Sequence, residues 1–129
     1  MYIWIVQPFE STPLDSKSDE RLWRSGILAN TLIKNGHKVL WWTSDFDHKN
    51  RIHRHKSNKR IALSDKFSIQ YIKSLGYKKN VSIKRILDHI LLAKRFKSLI
   101  KKEKLKPDII LASIPLAELA LESSIYAKK

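Results

Sequence analysis

The chain opens on Tyr2 to Gln7, YIWIVQ, a continuous run of β-branched and aromatic residues closed by Pro8, which predicts a strand buried on both faces. The stretch FESTPLDSKSD at 9–19 is rich in turn formers, and Asp19 stands as N-cap for a helix starting near Glu20. Leu22, Trp23, Ile27, Leu28, Leu32 and Ile33 recur three and four apart, one stripe along that helix, and Gly36 follows as a left-handed C-cap. Lys38 to Thr43, KVLWWT, repeats the strand pattern, so 2–43 reads as a βαβ unit with parallel pairing.

The pattern then changes. Ser44 to Arg60, SDFDHKNRIHRHKSNKR, is polar and basic and predicts a mobile loop. Arg60 to Leu63 and Ser68 to Lys73 flank Asp65-Lys66, and a hairpin or an extra strand pair fits them. From the N-cap Ser82 a helix is predicted to about Lys104, with Ile86, Ile90, Ala93, Phe96 and Ile100 as its buried stripe. Asp108 to Ala112, DIILA, is a further buried strand, and Pro115 fits the first position of a helix through PLAELALESSIYA. The order predicts one α/β domain over 1–129, a Rossmann-like open parallel sheet with helices on both faces. Lys128-Lys129 closes a helix that in such a sheet leads to another strand, so part of a larger fold with an unpaired C-terminal edge is expected.

Charge narrows the partners. Lys plus Arg number 26 against 12 Asp plus Glu, a formal net charge of +14, which calls for an anionic partner. No apolar window approaches the length of a membrane span, and MYIWIVQPF lacks a basic start and the form of a secretory signal, so a cytoplasmic location is expected. The absence of Cys excludes disulfides, thiolate metal sites and a cysteine nucleophile.

IWIVQPFES at 3–11, RLWRSGILANTLIKNGHKVLWWTSDFDH at 21–48, GYKKNVSIKRILDH at 76–89 and KPDIILASIPLAELA at 106–120 together resemble the N-terminal half-domain of family 4 glycosyltransferases. Those enzymes have the GT-B fold, two facing Rossmann-like domains, and include enzymes of capsule and O-antigen synthesis. The resemblance implies an acceptor-side domain, an incomplete half of a GT-B fold. Its C-terminal counterpart would bind the nucleotide-sugar and carry paired glutamates of an E-x7-E motif. Glu stands here at 10, 20, 103, 118 and 122, and no pair is eight apart. The resemblance therefore implies a chain that lacks its donor-binding domain and transfers no sugar alone, whether fragment, truncated product or subunit of a split enzyme. It implies no cofactor and no metal.

The loop after the first strand is where such folds meet a phosphate, yet Pro8 to Pro13 holds no glycine. Glu10, Ser11 and Thr12 either border the interdomain cleft or belong to a plain exposed loop. Arg21 and Arg24, one helical turn apart, suit either a phosphate or an ordinary helix surface. Asp45-Phe46-Asp47 spells D-x-D, a metal and diphosphate motif of a different glycosyltransferase fold, and is set aside. His48, His53 and His55 stand in a cationic segment that opposes metal binding and read as loop residues near an anionic surface. Where family members place a candidate base histidine, this chain has Ser113, a poor proton acceptor without a base beside it. Glu118, with Glu122, serves only if it faces the cleft. The catalytic base is left unassigned.

Between His48 and Lys106 stand 19 Lys plus Arg against Asp65, Asp88 and Glu103, a net of +16. On the long helix, Lys84, Lys94, Arg95, Lys101 and Lys102 share a sector with Ile83, Leu87 and Leu91, opposite the predicted core stripe. That mixture suits an anionic membrane surface or a lipid-linked acceptor at its inner face. The alternative packs Ile83, Leu87 and Leu91 under the 44–60 loop. Two further readings stand beside the glycosyltransferase: a basic nucleic-acid-binding module, disfavoured because no helix-turn-helix, zinc-finger or RNP pattern occurs, and a non-catalytic subunit of a split enzyme.

Overall fold

A computed structural model of the chain describes residues 1–15, 21–79, 81–114 and 116–129. The apolar runs form β1 (Tyr2–Val6), β2 (Lys38–Ser44), β6 (Phe67–Ile72) and β7 (Ile109–Ala112). Three short strands, β3 (Phe46–Asp47), β4 (Ile52–His53) and β5 (Lys59–Ala62), lie between β2 and β6. The helices are α1 (Arg24–Lys34), α2 (Ile83–Ile100) and α3 (Ala117–Ala127). The main sheet runs β5-β6-β2-β1-β7. Pairing is parallel from β6 through β7, with Ile3 opposite Val39 and Ile109, while β5 is antiparallel to β6. The molecule is thus a mixed α/β fold.

Side chains alternate across the pleat into two cores. Trp4, Val6, Leu40, Trp42 and Ile72 pack with Leu92, Phe96 and Ile100 of α2 and Leu119 of α3. On the opposite face Ile5, Val39, Trp41, Ile69 and Tyr71 pack with Ala29 of α1. Cover on both faces is why β1 and the Val39–Trp42 stretch of β2 read as unbroken apolar runs. Helix caps follow the sequence: the Ser82 hydroxyl accepts from the Arg85 N–H at 3.2 Å. After α1, Gly36 takes φ +84°, its N–H reaching Ile33 O and that of His37 reaching Leu32 O, both at 3.0 Å, a Schellman closure.

Several expectations are corrected. The sheet is mixed rather than parallel, because Lys59–Ala62 and Phe67–Ile72 close the hairpin that the sequence allowed. Asp108–Ala112 is not a central strand: β7 is an edge, with Ile109 and Leu111 each 40% exposed, since α1 covers β2 and β1 and not β7. Helix α1 begins at Arg24, not near Glu20, and buries the small residues Ser25, Gly26 and Ala29, leaving Trp23, Ile27 and Leu28 exposed. Helix α2 ends at Ile100 rather than Lys104. Its buried face is Asp88, Leu92, Ala93, Phe96 and Ile100, whereas Ile86 and Ile90 are exposed. The proposed N-cap Asp19 and the proposed first helical residue Pro115 lie outside the described residues. Among the described residues, no helix is long and apolar enough to cross a membrane.

Within the 44–60 segment, expected as a loop, β3 and β4 pair as a short antiparallel hairpin and Lys59 and Arg60 begin β5. The Asp45 side chain, fully buried at the end of β2, accepts the Ser74 N–H at 2.6 Å and the Lys73 ammonium at 3.0 Å, and lies 2.8 Å from His53 Nδ1. Phe46 is buried beside it, pairing with His53 across β3 and β4. Arg54 grips Asp15 through two hydrogen bonds of 2.7 Å and donates to Ser44 O at 3.0 Å, tying the hairpin to the loop after β1. Gly76 has φ +72°, and a Cβ there would sit 2.7 Å from His53 Nε2. A buried carboxylate with this many donors cannot be removed without leaving them unpaired, so Asp45→Ala is expected to lower unfolding free energy by about 3–5 kcal/mol. Urea denaturation measures it, with the exposed Asp65→Ala as a control that changes stability by less than about 0.5 kcal/mol.

Candidate functional site

The loops at the carboxyl ends of parallel strands are where open α/β sheets bind ligands, above all where the connections diverge. Here the chain leaves β1 toward β2 on one side, and β7 pairs on the other. A cleft of about 440 Å³ opens at the end of β1, lined by Gln7, Phe9, Glu10, Ser11, Trp23, Arg24, His48 and Lys49. Trp23, immediately before α1, is 52% exposed at its mouth. A groove bordered by Arg21, Trp23, Ile27 and Lys49 continues from it along α1.

Glu10 occupies the helix N-terminus after the first strand, where open α/β sheets commonly bind an anion. Its Oε2 accepts the Ser25 N–H in the first turn of α1 at 2.9 Å, and Oε1 lies 3.8 Å from Arg24 Nε. The helix terminus is thereby served by the protein's own carboxylate. Arg24, with its side chain 92% exposed, projects into water at the cleft edge. Arg21 lies before the helix rather than one turn earlier on it, so the two arginines share a groove and not a helical face.

His48 and His89 flank the Phe9 ring, with centroids 5.4 and 5.6 Å away. His48 Nδ1 meets the Tyr77 hydroxyl. Burial, with the Arg85 and Arg51 cations next, holds His48 below the ordinary histidine value against a smaller opposing pull from Asp47. Burial and then Arg85 do the same to His89, whose Nε2 is buried without a hydrogen-bond partner. Both rings are therefore neutral at neutral pH. A neutral imidazole at a cleft is a competent proton acceptor.

The remaining candidates separate. Glu10, Ser11 and Arg24 reach the cleft. Thr12 does not: fully buried, its hydroxyl bonds Tyr71 Oη at 2.9 Å and Asp15 Oδ2 at 3.1 Å, which makes it part of the scaffold. Ser113 follows β7, where its N–H donates to Val6 O at 3.0 Å, and it does not line the cleft. Both D-x-D carboxylates are engaged by protein donors. Burial raises the Asp47 carboxyl, but the Asn50 backbone and side chain, with Arg54 and the Lys49 N–H, more than offset it and hold it below the usual carboxylate range. Glu122 pairs with Lys97 at 3.3 Å, and Glu118 is exposed.

The predicted membrane face is mostly outward. Ile83 is 77% and Leu87 51% exposed, joined by Ile86 and Ile90, and Lys84, Lys94, Lys101 and Lys102 are exposed. Leu91 is half-buried. Arg95 does not belong to this face, because its guanidinium turns in to donate to the Lys73 carbonyl. Sequence reasoning missed Phe9 and Trp23 as cleft residues; an aromatic soon after the first strand and another at the start of the helix were the available signal. Compared with known proteins, the chain matches no family model, and no curated protein matches it.

The neutral histidines set a pH response. A histidine whose value is lowered by folding adds stability that is full above its unfolded value and is lost as pH falls through the folded one. Unfolding free energy is therefore expected to drop on acidification below the ordinary histidine value. Arg85→Ala, which removes a cation felt by both rings, is expected to raise their NMR titration midpoints; unchanged midpoints contradict the assignment.

Proposed function

We propose that this chain is the acceptor-side domain of a glycosyltransferase-like enzyme, a Rossmann-like half of a GT-B fold that holds a glycan acceptor carried by a membrane lipid. The observation that carries this reading is the composition of the β1 cleft: the exposed Trp23 and the Phe9 ring beside Gln7, Glu10, Ser11, Arg24 and neutral His48. Aromatic faces suit the C–H surface of a sugar ring, and the polar groups suit its hydroxyls. In transfer, the acceptor hydroxyl attacks the anomeric carbon of the donor sugar, the nucleoside diphosphate departs, and a base takes the hydroxyl proton. With the proton on Nδ1 and given to Tyr77 Oη, His48 keeps the Nε2 lone pair for that task. Glu10 covers the α1 terminus, which supports a division of labour in which a separate domain binds the nucleotide.

The outer face of α2 supports a membrane location for the acceptor. Ile83, Ile86, Leu87 and Ile90 crowd its first half, Lys94 and Lys97 stand on its second and Lys101 follows at its C-cap, an arrangement for shallow insertion beside anionic headgroups. Each lysine near such a leaflet contributes about 1 kcal/mol.

In NMR titrations, short oligosaccharides are expected to shift the His48 and Trp23 resonances, and UDP- or GDP-glucose to leave them in place; a nucleotide-sugar response at His48 and Trp23 overturns the acceptor assignment. In liposome flotation, changing Lys84, Lys94, Lys101 and Lys102 to Glu is expected to abolish binding to anionic vesicles. Ile83→Ser with Leu87→Ser removes only the part that resists high salt. Parent-like binding of that double variant at high salt refutes the membrane face.

A further inference from the structure

On the same side of the sheet, at the end of β6 rather than β1, a second cavity of about 590 Å³ lies between the β4–β5 connection and Lys73. It is lined by His53, Arg54, His55, Lys56 and Lys59 together with Lys73, and among the described residues no carboxylate lines it. Two of its cations are held in fixed positions from behind. Arg54 is clamped by Asp15, and Lys73 donates to Asp45 Oδ2 and to His55 O, both at 3.0 Å. Lys56 and Lys59 are exposed, and among the described residues neither pairs with a carboxylate. Four cations against the two carboxylates behind them leave a net of two positive charges facing one solvent-filled concavity. A concave surface of one sign focuses its field on a counter-ion of matching size and charge.

We propose that this cavity is a binding site for a diphosphate group, presented either by a free diphosphate or by a lipid diphosphate. Fixed Arg54 and Lys73 form its floor, and the long flexible stems of Lys56 and Lys59 let them close over the phosphoryl oxygens. The site is separate from the β1 cleft and stands whether or not that cleft holds a sugar. His55 gives an internal readout. Its ring packs on Tyr71 at 4.5 Å, and burial, then Lys59, lower its value against the opposing pull of Asp45, with Arg54 lowering it and Asp15 raising it more weakly. A bound diphosphate screens those cations and draws a proton onto the ring.

The test is calorimetric and NMR titration of the intact chain with inorganic pyrophosphate and with farnesyl diphosphate, at fixed ionic strength. Pyrophosphate is expected to bind and to raise the His55 titration midpoint. Lys56→Gln with Lys59→Gln is expected to weaken binding by about tenfold or more, whereas Lys128→Gln with Lys129→Gln, an equal loss of charge elsewhere on the surface, changes it less than about twofold. Equal affinity for the two ligands assigns the site to a free diphosphate, and tighter binding of the prenylated one assigns it to a lipid. No binding of either ligand, or equal weakening by both lysine pairs, overturns the site. Because all four lysines are exposed, the variants are expected to fold as the parent does.

Discussion

A carboxylate with no access to water governs how this molecule is assembled. Burying an ion of that size costs several kcal/mol unless donors replace its hydration, so Asp45 is stable at the end of β2 only if the backbone of Ser74, the Lys73 ammonium and the His53 ring converge on it. Meeting that condition fixes three connections at once: the hairpin after β2, the exit from β6 and the approach to α2. Ser74 in turn presents its hydroxyl to Asp88, whose Oδ1 also takes the Leu75 N–H at 2.8 Å. Helix α2 therefore docks with Asp88 inward at its first turns, and the apolar side chains on the opposite side of that half face water.

This explains where sequence reasoning succeeded and where it failed. The strands β1, β2, β6 and β7, the β5–β6 pair, the Ser82 cap and the Gly36 closure were legible because each is dictated by residues adjacent in the chain. The rotation of α2 was not, since the spacing of Ile86 and Ile90 suits a buried stripe as well as Leu92 and Phe96 do, and only the demand of Asp88 for donors 13 and 14 residues away decides between them. The hairpin at 44–60 hides for a related reason: its stability resides in polar contacts to Asp15, Lys73 and Ser74, which leave no hydrophobic period to read. Likewise DIILA has the composition of a central strand but an edge position, because composition does not say which neighbour will cover it.

The candidate site was legible by location and not by chemistry. Glu10, Ser11 and Arg24 are where the topology of a βαβ unit puts them, but the group best suited to accept a proton, His48, comes from the segment that looked least structured. Its value is lowered first by burial, then by Arg85 of α2, a side chain distant in sequence, and by Arg51 of its own hairpin. The same fixed hairpin separates two chemistries on one rim of the sheet, a cleft of aromatic and mixed polar side chains at β1 and a cationic hollow at β6.

The distribution of tryptophan has an optical consequence. Trp4, Trp41 and Trp42 are wholly shielded, and Trp41 donates its indole N–H to Gln7 O at 2.9 Å, whereas Trp23 stands half in water. Emission from the chain is thus a sum of three blue, protected fluorophores and one red-edge fluorophore that a dissolved quencher such as iodide can reach. The protein carries its own reporter at the mouth of the β1 cleft, and whatever settles there changes the quenchable fraction of its light while the core signal stays constant.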